Sequence, residues 1–236
     1  LVWLERQRDC RKMSSGHVAS ELFRTTASRS LISTLPLIYL PRFASFPGIG
    51  QRLAVQTPVS TPRLWSASSA EAVAALGTAE PFYAFLWPGS YALSSFISSR
   101  PALVHGKTVL DFGSGCGSAG IAALRHGAAH VELNDIDPMA LSACSENIHE
   151  NMLGGDSSEW ASRVTLSQQN LLDTEPEAIG DSAAPLPPCD VLLCGDVFYD
   201  EQFAQGVQKM LVRALTCGAQ VLVADPGHPA LPGAAK

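Results

Sequence analysis

The chain has 236 residues, of which 46% are hydrophobic and 16% are charged, so it can bury the core of one ordinary domain. Its net charge of −6 argues against nucleic acid as a general partner. The six cysteines contain no CxxC pair and none is spaced with histidine as metal ligands are, so the sequence predicts no metal site.

Basic residues are concentrated in the N-terminal part of the chain. Residues 1–63 hold nine Lys or Arg and three acids, which leaves a net charge of −12 on the remaining 173 residues. Because residues 1–47 are also rich in Arg and Ser, as mitochondrial transit peptides are, we expect a disordered targeting segment, with Met13 as a candidate first residue. The alternative is a disordered tail without a targeting role. The apolar run 31–40 is interrupted by Pro36 and is far shorter than the ~20 residues of a membrane span.

From residue 107 onward, short apolar runs alternate with segments of helical period. The predicted strands are 107–112, 130–135, 163–168, 189–196 and 219–225, and the predicted helices are 118–127, 137–155 and 200–215. Strand–helix alternation of this kind produces right-handed βαβ units. The sequence therefore predicts an α/β domain over residues 48–236, with a Rossmann-like, doubly wound and mostly parallel sheet.

The first predicted strand leads into a glycine-rich segment, VLDFGSGCGSAG at 109–120. Gly113, Gly115 and Gly117 allow a tight turn and leave the backbone bare for a ligand at the start of the next helix. Asp135 ends the second strand, 22 residues after Gly113, where an acid accepts hydrogen bonds from ribose hydroxyls. Sheets of this type bind ligands at the carboxyl ends of their strands, so these residues predict a nucleotide-type site.

The acid before the glycines discriminates between nucleotide ligands. The dinucleotide pattern GxGxxG occurs from Gly115 onward, so the glycine spacing alone is ambiguous. A carboxylate at Asp111 would repel a pyrophosphate and attract the α-ammonium group of an amino acid. A ligand with an amino acid end and a ribose is S-adenosylmethionine, which is the predicted cofactor. The alternatives are a nicotinamide oxidoreductase, which Asp111 disfavours, and a tight turn that binds no ligand.

Four segments of the chain carry motifs of one enzyme family. The segment 109–120 resembles the first motif of class I, seven-strand S-adenosylmethionine-dependent methyltransferases, and NDIDPMA at 134–140 resembles their ribose-binding segment. GDVFYDE at 195–201 resembles the D-x-x-Y signature of the lysine-modifying branch called family 16, and PFYAFLWPGSYALSSFI at 81–97 resembles that branch's Trp-containing segment. The resemblance covers about residues 48–229 and implies a protein-lysine N-methyltransferase.

The resemblance also implies roles for the residues at matching positions. It places one group of residues against the cofactor, namely Asp111, Gly113, Ser114, Gly115 and Gly117 at the methionine moiety, Asp135 at the ribose, Asn170 at the adenine and Trp87 beside it. It places Asp196 and Tyr199 as catalytic residues that line the methyl-transfer site, with Asp196 also at the cofactor. The alternatives are a turn-capping role for Asn170, a core position for Trp87 and a helix N-cap role for Asp196, although Asp200 is better placed to cap.

The predicted sheet is smaller than that of the family. Class I methyltransferases have seven strands, of which the last two form a hairpin, whereas five strands are predicted here. We therefore expect strands six and seven to be missing from this chain. Two further functions stay open: a methyltransferase acting on another protein or a small molecule, and a truncated cofactor-binding module without activity.

Overall fold

The computed structural model describes residues 2–4, 37–39, 56–58, 68–70, 73, 81–152, 160–172 and 186–232. The predicted targeting segment 1–47 lies outside the described residues, apart from two strands of three residues each. The expectation that strands six and seven are missing stays a prediction.

Strands and helices alternate along the described part of the chain. The strands are β1 (Val2–Leu4), β2 (Leu37–Tyr39), β3 (Gln56–Pro58), β4 (Thr108–Phe112), β5 (His130–Asn134), β6 (Val164–Ser167), β7 (Val191–Gly195) and β8 (Gln220–Ala224). The α-helices are α1 (Pro88–Ser99), α2 (Ser118–Arg125), α3 (Pro138–Met152) and α4 (Glu201–Thr216), with 3-10 turns at Phe82–Ala84 and Pro101–Leu103. The five strands and three helices predicted after residue 107 are all present, with bounds that differ by at most three residues.

The main sheet has the order β1-β8-β7-β4-β5-β6. Strands β4 to β8 are parallel to one another, and β1 pairs antiparallel with β8. The chain proceeds outward from β4 through β5 to β6 and then returns to the other side of β4 to form β7 and β8. This order confirms the predicted doubly wound, mostly parallel sheet, and it places the reversal of strand order between β4 and β7.

Both faces of the sheet are covered by helices. On β4, Val109 packs with residues of α1 and α2, whereas Leu110 packs with residues of α4 on the opposite face. The next strand alternates in the same way, with Val191 and Leu193 on the first face and Leu192 on the second. Because successive side chains of a strand point to opposite faces, the continuous apolar runs of the central strands fill two cores at once.

The described residues contain neither a candidate membrane-spanning helix nor a candidate metal-ligand cluster. None of their helices combines the length and the apolar character that crossing a bilayer requires. In the same part of the chain, no three His, Cys, Asp or Glu side chains are grouped so that they could hold a metal ion.

Candidate active site

The glycine loop connects β4 to α2 at the centre of the sheet. Gly113, Gly115 and Gly117 have φ angles of 63°, 53° and 79°, in the left-handed region that side chains rarely adopt. The turn is closed by hydrogen bonds from Ser114 N to the carbonyl of Asn134 (3.0 Å) and from Gly117 N to the carbonyl of Ser114 (2.7 Å). The predicted tight turn is therefore present.

The glycines of this segment differ in what surrounds them. A Cβ atom on Gly113 would lie 3.7 Å from Val197 Cγ1, and one on Gly115 would lie 3.8 Å from Tyr83 Cα, so each would make an ordinary contact. On Gly117 it would lie 3.0 Å from Cys144 Sγ, and on Gly120 it would lie 2.4 Å from Leu133 Cδ2. The last two glycines therefore serve packing, whereas the first two are less crowded and are required by their positive φ angles.

Asp111 lies beneath the loop rather than on its surface. Its side chain is 3% exposed, and Oδ2 accepts a hydrogen bond from Gly120 N at 2.8 Å. Burial raises the pKa of Asp111 to about 7, against the opposing effect of the Gly120 N–H, and the charge of Asp135 raises it further. One carboxylate oxygen thus holds the first turn of α2. Its predicted contact with an α-ammonium group stays a prediction.

Replacing Asp111 by Asn is expected to change the pH dependence of stability. The folded pKa of about 7 lies above the ordinary value of 3.8, so the contribution of Asp111 to stability is fully present below about pH 4 and is lost as the pH rises through 7. Asn retains an oxygen for Gly120 N and buries no charge. We expect the variant to be more stable than the wild type at pH 8, by up to about 4 kcal/mol, in denaturant titrations from pH 5 to 8.

Asp190→Asn is the matched control for this comparison. The Asp190 carboxylate accepts a hydrogen bond from Thr108 N at 2.8 Å, at the opposite end of β4, and the residue is exposed. Because Asp190 is exposed, the control is expected to change the free energy of unfolding by less than about 0.5 kcal/mol. Parallel profiles for Asp111→Asn and the wild type would contradict the assignment of a buried, titrating carboxyl to Asp111.

Asp135 joins the glycine loop to the end of β5. Its Oδ2 accepts a hydrogen bond from Gly115 N (2.9 Å) and its Oδ1 accepts one from Asp137 N (3.0 Å). Burial raises the pKa of Asp135, while these two N–H groups lower it. The structure therefore brings together the predicted ribose acid and the predicted loop. The ribose contact itself stays a prediction.

The side chains of two other predicted cofactor residues make polar contacts with the protein itself. The Asn170 side chain is exposed, and its Oδ1 accepts a hydrogen bond from Leu172 N at 3.1 Å, which is the turn-capping arrangement considered above. Ser114 is 4% exposed, and its Oγ lies 3.5 Å from Cys144 Sγ. The cofactor contacts predicted for these two side chains stay predictions.

Asp196 follows β7 and has a strained backbone. Its φ of 57° is the sole positive φ of a non-glycine residue within the described ranges, a conformation that costs about 1–3 kcal/mol. Its N–H donates to the carbonyl of Ala224 at 3.0 Å, and its Oδ2 accepts from Ser90 N at 3.0 Å. The residue is 8% exposed, yet Oδ1 is buried without a hydrogen-bond partner. Strained backbone and an unpartnered buried oxygen are typical of a functional position.

Asp196 is not a helix cap. The N-cap of α4 is Asp200, whose Oδ1 accepts a hydrogen bond from Phe203 N at 2.8 Å. Burial raises the pKa of Asp196 to about 6, against the lowering effects of the Ser90 and Gly89 N–H groups. The carboxylate is therefore available for chemistry, and it is mostly ionised at neutral pH.

Sequence reasoning missed the residues that hold Asp196 in place. A Cβ on Gly89 would lie 2.3 Å from the Ala224 carbonyl oxygen, and a Cβ on Gly195 would lie 2.8 Å from Ser90 N. The first turn of α1 therefore packs directly on the ends of β7 and β8. The WPG segment contains the only sequence signal for this contact, a proline and a glycine at the start of a helix.

A second group beside Asp196 also escaped sequence analysis. Asp225 follows β8, its side chain is buried, and its Oδ2 lies 2.9 Å from Nδ1 of His228. The charge of Asp225 raises the pKa of Asp196, and His228 lowers it. The carboxyl ends of two adjacent strands thus present three titratable side chains to one region.

The predicted residues Trp87 and Tyr199 belong to an aromatic group. Trp87 is half-buried and precedes α1, and its Nε1 donates to the carbonyl of Phe82 at 2.8 Å. Tyr199 is 53% exposed, and its ring centroid lies 5.9 Å from that of Phe82. The structure therefore connects the Trp-containing segment to the D-x-x-Y segment through Phe82, which the sequence had not singled out.

Comparisons with known proteins point to the family suggested by the motifs. The family model for ribosomal protein L11 methyltransferase (PrmA) matches residues 96–178. The electron transfer flavoprotein beta subunit lysine methyltransferase of Mus musculus is 37% identical over 155 residues, which is 65% of this chain and 54% of that protein. The chain is therefore similar to methyltransferases over these residues.

A second relative and one solved structure are also similar to this chain. The electron transfer flavoprotein beta subunit lysine methyltransferase homolog of Caenorhabditis elegans is 36% identical over 154 residues, which is 64% of this chain and 61% of that protein. The structure of ribosomal protein L11 methylase from Lactobacillus delbrueckii subsp. bulgaricus is 23% identical, with a TM-score of 0.37 and coverage of 56% of this chain and 57% of that chain. This chain spans little more than half the length of the curated relatives that it matches.

Proposed function

We propose that the chain is an S-adenosylmethionine-dependent protein-lysine N-methyltransferase whose substrate is the beta subunit of the electron transfer flavoprotein. The observation that carries the proposal is the buried, unpartnered Oδ1 of Asp196, at the end of the strand next to β4 and its glycine loop. The names of the mouse and worm relatives support the choice of substrate.

The cofactor fits the residues around the loop. The backbone at Gly113 and Gly115 would receive the methionine moiety, with the Asp111 carboxylate beneath it, and Asp135 would hold the ribose. S-adenosylmethionine, when bound, supplies a sulfonium methyl group that an amine can displace. The chain's own task is therefore to select, orient and neutralise that amine.

Asp196 is suited to that task. A lysine amine has an ordinary pKa of about 10.4 and must lose a proton to solvent before it can act as a nucleophile. An ionised carboxylate with a free oxygen accepts a hydrogen bond from the amine, fixes its lone pair and stabilises the methylated ammonium product. Because Ser90 N already holds Oδ2, the orientation of the carboxylate is fixed before the amine arrives.

We propose the mitochondrial matrix as the site of action. The proposal rests on the Arg- and Ser-rich composition of residues 1–47 and on the mitochondrial role implied by an electron transfer flavoprotein substrate. A fluorescent reporter fused to residues 13–60 should enter mitochondria, and a reporter that stays in the cytosol would contradict the proposal.

A single experiment tests both cofactor and substrate. S-adenosylmethionine, and NADH in a parallel cell, would be titrated into the purified chain by calorimetry. The same sample would then receive methyl-labelled cofactor and either the flavoprotein beta subunit or ribosomal protein L11, the second because the PrmA model also matches. We expect S-adenosylmethionine to bind, NADH not to bind, and label to reach lysine of the beta subunit.

Each contrary result has a separate meaning. Label on L11 alone would replace the proposed substrate, and binding without transfer to either protein would favour a cofactor-binding module. Failure to bind S-adenosylmethionine would overturn the proposed function as a whole.

A further inference from the structure

An exposed aromatic surface adjoins the segments that carry Asp196 and its partner Ser90. It consists of Phe82, Tyr199 and Phe203, here called the aromatic wall. Phe82 is 46% exposed and Tyr199 is 53% exposed, and their ring centroids are 5.9 Å apart. Tyr199 also stacks on Phe203, with centroids 5.3 Å apart and ring planes 27° apart. Two large aromatic rings that contact each other are therefore both exposed to solvent.

The aromatic wall is rigidly backed. Phe203 stacks on Phe112 of β4 at 6.3 Å, and Phe112 is 6% exposed within the core. On the other side, the Phe82 carbonyl accepts the Trp87 indole N–H, and the two rings pack edge to face at 6.2 Å. The exposed rings are thus held in place from both sides, so a ligand would meet a preorganised surface.

The aromatic wall is contiguous with the segments that hold Asp196. Tyr199 lies three residues after Asp196 on the same loop. Phe82 is tied to Trp87, which directly precedes α1, and the Ser90 N–H of α1 donates to Asp196. The aromatic wall is therefore linked to the Asp196 carboxylate through two short segments, 196–199 and 82–90.

Resting on the proposed function, we infer that the aromatic wall binds the cationic ammonium of methylated lysine through cation–π contact and retains it for further rounds of methylation. Aromatic faces attract cations, and quaternary ammonium groups are preferred ligands of such surfaces. Each added methyl group weakens the hydration of the ammonium, so partly methylated lysine gains from the wall relative to water. The wall therefore favours products with more than one methyl group.

The test uses short uncharged host peptides and the chain saturated with S-adenosylhomocysteine. One peptide carries trimethyl-lysine between glycines with blocked ends, and the other carries its neutral carbon isostere. Proton NMR follows the methyl resonance, which aromatic ring currents move upfield. We expect the methyl resonance of the cationic peptide to move upfield when the wild-type chain is added. Phe82→Leu should bind this peptide about 3- to 30-fold more weakly, whereas Phe82→Trp should bind it as the wild type does.

A second readout is the methylation state of the flavoprotein beta subunit, determined by mass spectrometry. Phe82→Leu should shift the product toward monomethyl-lysine. Phe96→Leu is the matched control, because Phe96 is an aromatic residue near the far end of α1 where it stacks on Arg100 at 4.4 Å. Phe96→Leu should give the wild-type distribution of methylated products and the wild-type upfield shift of the trimethyl-lysine resonance.

Three results would overturn the inference: no methyl shift in a wild-type chain that binds S-adenosylhomocysteine, an undiminished shift in Phe82→Leu, or equal binding of the neutral isostere. A wild-type chain that fails to bind S-adenosylhomocysteine would instead overturn the proposed function. Affinity for S-adenosylhomocysteine also reports whether each variant is folded.

Discussion

Replacement of Asp196 by Asn is expected to reduce methyl transfer at least about 100-fold while S-adenosylmethionine affinity changes less than about 3-fold. The amide retains an oxygen for Ser90 N, and Asn tolerates the left-handed backbone that Asp196 adopts, so the fold should persist. What is lost is the negative charge that aligns the amine and stabilises the cationic product. Single-turnover transfer of labelled methyl, with cofactor affinity from calorimetry, separates the two effects.

Asp200→Asn is the control for that experiment. It makes the same change four residues away, and Asn caps helices as well as Asp does, so α4 should keep its N-cap. Transfer by the control should stay within about twofold of the wild type. Wild-type turnover by Asp196→Asn would remove Asp196 from the catalytic machinery.

The pH dependence of kcat/KM for the wild type should report the ionisation of the Asp196 carboxyl. Asp196 must be ionised, and burial raises its pKa to about 6, while the substrate amine must be neutral. Both requirements favour high pH, so log kcat/KM should rise with a slope of about 2 below pH 6 and about 1 above it. A slope of 1 throughout would show that Asp196 does not titrate in this range.

Replacement of Gly89 by Ala is expected to have the second large effect. The added Cβ would lie 2.3 Å from the Ala224 carbonyl oxygen and 2.5 Å from Asp196 Oδ2. The nearest obstacle is backbone of the central sheet, which cannot rotate away as a flexible side chain can. We expect a loss of about 3 kcal/mol or more in the free energy of unfolding, measured by denaturant titration, together with loss of methyl transfer.

Gly206→Ala provides the contrasting case. Gly206 lies inside α4, and its added Cβ would meet Leu172 Cδ1 at 3.4 Å, an ordinary contact. Alanine favours the helix by about 1 kcal/mol, so this variant should be as stable as the wild type or more so. If Gly89→Ala unfolded at the same denaturant concentration as Gly206→Ala, the close packing of α1 on β8 would be wrong.

Local pattern was sufficient to predict most of the sheet. The five parallel strands have continuous or alternating apolar runs, and the helices between them carry their own stop and start signals, such as Gly127 and Asp200. Three-residue β1 has no such signal, because so short a segment shows no period. Its pairing with β8 depends on a neighbour more than 200 residues away in the chain.

The sequence by itself determined which carboxylates share an edge. Asp111, Asp135 and Asp196 each end a predicted strand, and the carboxyl ends of parallel strands meet on one side of the sheet. Applying that rule requires only the order of strands and helices along the chain. It explains why the glycine loop and its acids could be predicted before their distances were known.

Only the tertiary structure decided how those carboxylates are used. Asp111 is bound internally to α2, and Asp196 keeps one oxygen unpartnered because α1 satisfies the other from 106 residues away. Phe82 joins Tyr199 across a similar separation. Burial, hydrogen-bond partnership and ring contact depend on which distant segments the packed core brings together, and a periodic pattern in the sequence carries no information about those pairings.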